Sequence, residues 1–471
     1  MSKEPRRDSS ERGEVHFSRV QSGNRQADKI LGGGFPSNSI NIVMGQPGTG
    51  KTIFAEQLLF HNAGGAHPSL YVTTLSEPLS KVVSYVQRFS FFDPDRLTSD
   101  IQYEDLGAAL AESGPNALVD WLDEAIKTRS PGIIVIDSFR AIHDLSMSSD
   151  DVRRFMSRFA GLLSAYNVTA FLLGEYTQED IQRYPEFAVA DSIVELARQP
   201  LSTRDERYFR VLKLRGSGYR EGQHAFRITR DGIQLYPRLV TPRVPEHYDT
   251  LVERLPTGVP GLDKLVGGGL FAGTTTLLLG MTGAGKTTIA LQFALEGVKH
   301  GEPAIFVNFQ ENPAQLRRAI IGLGEDPEQM QAKGLNLIYA SPVELQIDSI
   351  VGEIFQAIES GTVRRLVIDA IGDLATAASD VQRLHDYLYS LIQHFAVRGV
   401  TTIMTLEVGD ESLGGLGQDP RFSYMSDNLI HLAWSTKKVE QRTMRIVKMR
   451  GSGHEKGIRD FEIDESGARV K

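Results

Sequence analysis

GQPGTGKT, residues 45–52, follows the apolar run SINIVMG (39–45), and GMTGAGKT, residues 280–287, follows TTLLLG (275–280). Each reads as a glycine-rich loop between a strand and a helix, in the pattern Gly45-x4-Gly50-Lys51-Thr52 and Gly280-x4-Gly285-Lys286-Thr287. The glycines let backbone N–H groups curl around a β-phosphate, and the helix N-terminus adds positive potential. Lys51 and Lys286 would neutralise β- and γ-phosphate oxygens, while Thr52 and Thr287 would ligate Mg²⁺. The expected binding sets are Gly45, Gly48, Thr49, Gly50, Lys51, Thr52 and Ile53, and Gly280, Thr282, Gly283, Ala284, Gly285, Lys286, Thr287 and Thr288, holding ATP with Mg²⁺. The bland alternative is two ordinary glycine-rich turns. Duplication in one strand–loop–helix context counts against it.

The duplication extends well beyond these loops. Lys51 and Lys286 are 235 residues apart, and so are Lys213 of KLRGSGYREG and Lys448 of KMRGSGHEKG. Asp28 of ADKILGGGFP and Asp263 of LDKLVGGGLF keep the same offset. One offset shared by three unrelated phrases marks an internal repeat. The expected organisation is a tail over 1–14 with nothing to bury, then two lobes, 15–245 and 246–471. The proline-rich join YPRLVTPRVPEHYDT (236–250) lacks apolar periodicity.

Within each lobe, continuous β-branched runs alternate with amphipathic stretches. GIIVID (132–137) and RLVID (365–369) suit strands buried on both faces. Val152, Phe155, Met156, Phe159, Leu162 and Leu163 are spaced for one helical face. The alternation predicts an α/β fold: two tandem P-loop domains, each a doubly wound, mainly parallel sheet. Asp137 and Asp369 end their strands as Walker B aspartates do, to hold the water shell of Mg²⁺. The alternative for each is a simple turn former.

Composition narrows the function classes. The 471-residue chain has no cysteine, which excludes disulfides, thiolate zinc sites and cysteine nucleophiles. Its net charge of −8 argues against a general nucleic-acid coat. MSKEPRRDSSERGE lacks the apolar core of a secretory signal, and no run reaches the length of a membrane span. A cytoplasmic protein is the expectation.

Two lobes that each open with a GLDKLVGGG-type element and close with KLRG or KMRG resemble the KaiC family of clock ATPases and autokinases. The resemblance covers about residues 15–471, and VKMRGSGHEKGIRDFEI is its most specific match. It implies RecA-like lobes in a homohexamer of two stacked rings with nucleotide at subunit interfaces. The first ring would be the ATPase and the second would carry autophosphorylation. It also implies that Lys213 and Arg215, and Lys448 and Arg450, reach across to a neighbour's ATP. An arginine supplied in trans can be worth about 10³–10⁵ in rate. Leu214, Ser217 and Tyr219, with Met449, Ser452, His454 and Lys456, complete the implied surround. Arg207 and Arg442, six residues before each lysine, would extend a shared basic interface strand. Its alternative is a solvated basic edge.

The chain departs from the family pattern at its carboxylates. The family's adjacent glutamates, which polarise the attacking water or hydroxyl, become Gln310-Glu311 in the second lobe and Leu75-Ser76 in the first, with Glu77 one place later. Glu311 and Glu77 are the remaining candidates, unless they only cap the helices that follow near Pro313 and Pro78. In RFSYMSDN (421–428), Ser423 matches the family's phosphorylated serine, while Tyr424 replaces its threonine. Ser423 is therefore the candidate phosphorylation site, without a two-step cycle. The sequence stops at Lys471, with no counterpart of the tail through which the clock protein meets its activating partner, so neither that partner nor a circadian oscillator role is expected; the partner expected instead is an unidentified regulatory protein.

Three functions follow for testing. The first is a KaiC-like ATPase with serine autokinase activity. The others are a RecA/RadA-like DNA-dependent ATPase, which the acidic balance disfavours, and a nucleotide-gated signalling scaffold with little turnover.

Overall fold

The computed structural model describes residues 18–65, 67–74, 79–145, 149–201, 204–242, 252–343, 345–377, 381–408, 424–435 and 441–471. The tail 1–14, Glu77 with Leu75 and Ser76, and Ser423 lie outside the described residues. The chain divides into two compact units, residues 1–238 and 239–471.

In the first lobe the main strands are β1 (Ile40–Met44), β2 (Ser69–Thr73), β3 (Ile101–Asp105), β4 (Ile133–Asp137), β5 (Thr169–Gly174), β6 (Ser192–Leu201), β7 (Arg204–Leu214), β8 (His224–Thr229) and β9 (Gly232–Tyr236). They form one sheet in the order β3-β2-β4-β5-β1-β6-β7-β8-β9. Pairing is parallel from β3 to β6 and antiparallel from β6 to β9.

The second lobe repeats this with β10 (Thr275–Gly280), β11 (Ala304–Asn308), β12 (Leu335–Tyr339), β13 (Arg365–Asp369), β14 (Thr401–Glu407), β15 (Asn428–Trp434), β16 (Arg442–Met449), β17 (Ile458–Asp464) and β18 (Gly467–Val470). Their order, β12-β11-β13-β14-β10-β15-β16-β17-β18, is the same topology. Both sheets are the mainly parallel, helix-flanked RecA-like sheets that the repeated pattern predicts.

Helices cover the faces because the parallel strands are apolar on both sides. In the first lobe, α1 (Lys51–Asn62) follows the P-loop, and α2 (Ser149–Tyr166) buries Val152, Phe155, Met156, Phe159 and Leu163 as the periodicity anticipates. In the second, α3 (Lys286–Lys299) takes the place of α1. Gln57 on α1 donates to Gly23 O (3.0 Å) and accepts from Ile233 N (2.9 Å), tying the lobe's first and last segments to the P-loop helix. Gln292 on α3 does the same with Gly258 O (3.2 Å) and Ala468 N (2.8 Å).

The opening and closing phrases of each lobe clasp one another. Arg220 N donates to Ile30 O at 2.8 Å, and Glu455 N donates to Leu265 O at 3.0 Å. Asp28 and Asp263 fix the opening turn by accepting Ser22 N and Thr257 N, each at 2.8 Å. Gly34 and Gly269 have φ of +111° and +115°, where a Cβ would lie 2.6 Å from Val20 O and 2.5 Å from Leu255 O. Only glycine fits such a turn. Among the described residues, no helix is long and apolar enough to cross a membrane.

Candidate nucleotide-binding sites

Each P-loop curls from the C-terminal end of its central strand into a helix. Gly50 and Gly285 cap α1 and α3 at φ +104° and +99°. Lys51 Nζ donates to Gly45 O (2.9 Å) and Gln46 O (3.0 Å). Lys286 Nζ donates to Gly280 O and Met281 O, both at 2.8 Å. Burial holds both ammonium groups below the ordinary lysine range. Glu175 and Asp137 oppose that effect in the first lobe, and Glu407 and Asp369 in the second. Thr49 Oγ1 donates to Gln46 O (2.9 Å), whereas Ala284 and Ile53 pack into the apolar cores.

The Walker B positions fall beside these loops. Thr52 Oγ1 donates to Asp137 Oδ2 at 2.8 Å. In the second lobe a cavity of about 370 Å³ is lined by Thr282, Lys286, Thr287, Thr288, Asn308, Gln310, Glu311, Asp369 and Glu407. A hydroxyl beside one carboxylate is a hard-oxygen donor set. It suits an Mg²⁺ that brings its own phosphates and waters. Among the described residues, no cluster of three or more His, Cys, Asp or Glu could hold a metal alone.

Glu311 is the half-buried carboxylate of that cavity. Its backbone N–H donates to Asn308 Oδ1 at 2.7 Å, and burial, then Asp369, pushes its carboxyl above the usual range. It is not the helix cap. Asn312 caps the helix α4 (Pro313–Gly322) through a capping box with Gln315. Gln310, beside it in the cavity lining, donates to Asp373 Oδ2 at 3.1 Å.

The closing motifs lie elsewhere in their own lobes. Lys213 Nζ donates to Phe187 O (3.2 Å) and Ala188 O (3.4 Å), and Arg215 pairs with Asp191 (3.4 Å). Lys448 Nζ donates to Ser426 O (2.6 Å), and Arg450 pairs with Asp427 (3.6 Å). A β-bulge sets these lysines in both lobes, with Leu212 and Val447 as the extra residues. Arg215 N bonds Asp191 O, and Asp191 N bonds Ile40 O, so the motif is level with the start of β1. The P-loop begins where β1 ends, about 16 Å further along the strand direction. The cations and the P-loop of one lobe thus occupy opposite ends of the sheet.

Other implied contacts are redistributed. Leu214 and Met449 point into the cores, so those two positions present backbone rather than side chain. Tyr219 packs partly buried on its own lobe, and Ser452 Oγ accepts from Arg254 at 2.6 Å within the clasp. Ser217 Oγ turns onto Gly218 O (3.0 Å), while His454 is half-buried and Lys456 exposed in the turn after β16. Arg442, expected among the nucleotide-binding residues, lines its own lobe's P-loop cavity. Its Nε donates to Gly283 O (3.2 Å) in its own P-loop, and its guanidinium lies 4.4 Å from the Trp434 ring centroid. The strand simply runs from one end of the lobe to the other. At the matching register in the first lobe, Arg207 faces Arg198.

The family model described as KaiC, an ATPase, matches residues 20–240 and again 255–471. The chain belongs to the KaiC family. The circadian clock oscillator protein KaiC of Picosynechococcus sp. is 30% identical over 459 residues, covering 94% of this chain and 88% of that protein. Its namesake from Rippkaea orientalis is also 30% identical, over 94% and 87%. KaiC 1 of Synechocystis sp. is 29% identical over 462 residues. The KaiC-family chain described here therefore carries two ATP-binding P-loop ATPase domains.

Sequence reasoning missed Glu175 and Glu407, at the ends of β5 and β14. Their spacing of 232 residues, shared by Asp137 and Asp369, was the available signal. It also missed the residues that hold the Walker B aspartates. Tyr71 OH donates to Asp137 Oδ2 at 2.7 Å, and Thr405 Oγ1 donates to Asp369 Oδ1.

Proposed function

We propose that this chain is an Mg²⁺-dependent ATPase that works as a homohexamer. In it each P-loop is completed by Lys213 and Arg215, or Lys448 and Arg450, of a neighbouring subunit. The observation that carries this reading is the separation of each cationic motif from its own P-loop along β1 and β10. A guanidinium placed there serves phosphoryl transfer only at a second copy's site.

In the second lobe, Glu311 has the position and raised basicity to take a proton from an attacking water as that oxygen bonds the γ-phosphorus and ADP leaves. Lys286 and Arg442 hold the phosphates and loop, and Thr287 and Asp369 would hold Mg²⁺, which withdraws charge from the phosphate oxygens. Ser423 is the proposed acceptor when a protein hydroxyl replaces that water. A regulatory protein partner belongs to the same reading.

The test is subunit complementation. Lys286→Ala and Arg450→Ala chains, each inactive at the second-lobe sites, should recover part of the second-lobe phosphate release when mixed, in a background carrying Lys51→Ala. Light scattering should show assembly in Mg·ATP. A monomer in saturating Mg·ATP, or no recovery on mixing, defeats the proposal. Intact mass before and after ATP separates the autokinase from a plain ATPase. A second reading, a scaffold with little turnover, draws on Gln310, an amide where the family has a carboxylate. It predicts phosphate release no greater than that of the Lys51→Ala/Lys286→Ala chain.

A further inference from the structure

The two lobes hold their Walker B aspartates from opposite flanks. In the first lobe Asp137 Oδ2 accepts Thr52 Oγ1 at 2.8 Å and Tyr71 OH at 2.7 Å. Tyr71 is fully buried on β2, two residues before Thr73, which stands opposite Asp137 in the β2–β4 register. The two side chains therefore leave neighbouring strands on one face. Behind Tyr71 lies the Tyr103 ring, 5.4 Å between centroids, and Tyr103 OH donates to the buried Glu56 Oε2 at 2.8 Å.

In the second lobe the matching positions are apolar. Phe306 stands for Tyr71 and Leu337 for Tyr103, each pair set by strand register, and Leu291 stands for Glu56 on the P-loop helix. A phenylalanine has no hydroxyl to offer Asp369. Thr405 on β14, buried, donates to Asp369 instead. The residue opposite Asp137 on the first lobe's β5 is Leu173, which cannot do so. Where one flank loses its hydroxyl, the other supplies one.

We propose that Tyr71 and Thr405 are positioning residues that aim Asp137 and Asp369 at the metal-bearing phosphates, so the metal affinity of each lobe is set by a different flank. This rests on reading both P-loops as Mg·nucleotide sites. A carboxylate whose rotamer is fixed by a buried donor is pre-organised for a cation. Tyr103 and Glu56 wedge Tyr71 in place.

The test uses the full chain with Lys286→Ala, so that the first lobe alone reports. Binding of a fluorescent ADP analogue is measured in EDTA and across an Mg²⁺ titration. Tyr71→Phe is expected to raise the Mg²⁺ half-saturation about tenfold or more while leaving affinity in EDTA unchanged. Adding Leu173→Thr, which imports the second lobe's anchor, is expected to restore most of that loss. An unchanged Mg²⁺ titration overturns the proposal, as does an equal loss in EDTA and Mg²⁺, which would mean general damage. A double variant no better than Tyr71→Phe alone also overturns the equivalence of the two anchors. If the Lys286→Ala parent binds no nucleotide under either condition, the reading of the first P-loop fails and the inference falls with it.

Discussion

Gln57 accepts the backbone N–H of Ile233 at 2.9 Å, across 176 residues of chain. One side chain on the P-loop helix thus closes the lobe, because its amide also donates to Gly23 O. Gln57→Leu should leave a buried donor and a partly buried acceptor unpaired and cost about 2 kcal/mol of first-lobe stability. The chain has two tryptophans, Trp121 in the first lobe and Trp434 in the second. Denaturant unfolding of a Trp434→Phe background, followed through Trp121, reads this loss directly.

Glu56 makes the first lobe's stability depend on pH. Burial raises its carboxyl from 4.5 to about 8, with Asp137 adding to the shift and the Tyr103 hydrogen bond opposing it. Below pH 4.5 the group is neutral folded and unfolded, and its favourable contribution is fully present. As pH rises the unfolded chain ionises first, so stability falls until the folded group ionises near pH 8. The loss is on the order of 4 to 5 kcal/mol. Glu56→Leu with Tyr103→Phe removes both polar partners and should flatten the first-lobe midpoint between pH 5 and 8 relative to the parent. An unaltered slope would show that other groups carry it.

Gly285→Ala should disable the second lobe alone. The residue sits at φ +99°, and an added Cβ would lie 2.5 Å from Ile463 Cδ1. The backbone strain is about 1–3 kcal/mol, which weakens second-lobe nucleotide binding about tenfold or more. Because the strain is in φ, trimming Ile463 to Val should not restore binding. Titration of a Lys51→Ala chain with a fluorescent nucleotide isolates the effect.

Glu311→Gln should lower second-lobe phosphate release about 10²–10⁴-fold with nucleotide affinity retained. The wild-type carboxyl lies above the usual range. Turnover should therefore decline on the acid side at a higher pH than an ordinary glutamate would set, as that base takes up its proton. A pH–rate profile with the Lys51→Ala chain checks both points.

The fold was legible because its signals are local and doubled. A P-loop constrains eight consecutive residues, and the 235-residue offset carries that reading from one lobe to the other. The Walker B aspartates were legible because they end apolar runs. Tyr71, Thr405 and Glu56 were not, since a polar residue inside a buried strand or helix acquires its partner from register and tertiary packing, which sequence spacing does not encode. That Arg442 serves the P-loop of its own lobe was not legible either: basic residues six apart look like one surface, but an extended strand carries them to different ends of the domain.

That geometry gives β16 two distinct duties. Arg442 grips the loop of its own lobe, while Lys448 and Arg450, at the far end, are the groups proposed for a neighbour's nucleotide. In the ring proposed above, each β16 would run like a splint from its own lobe's P-loop to the site it completes on the neighbour.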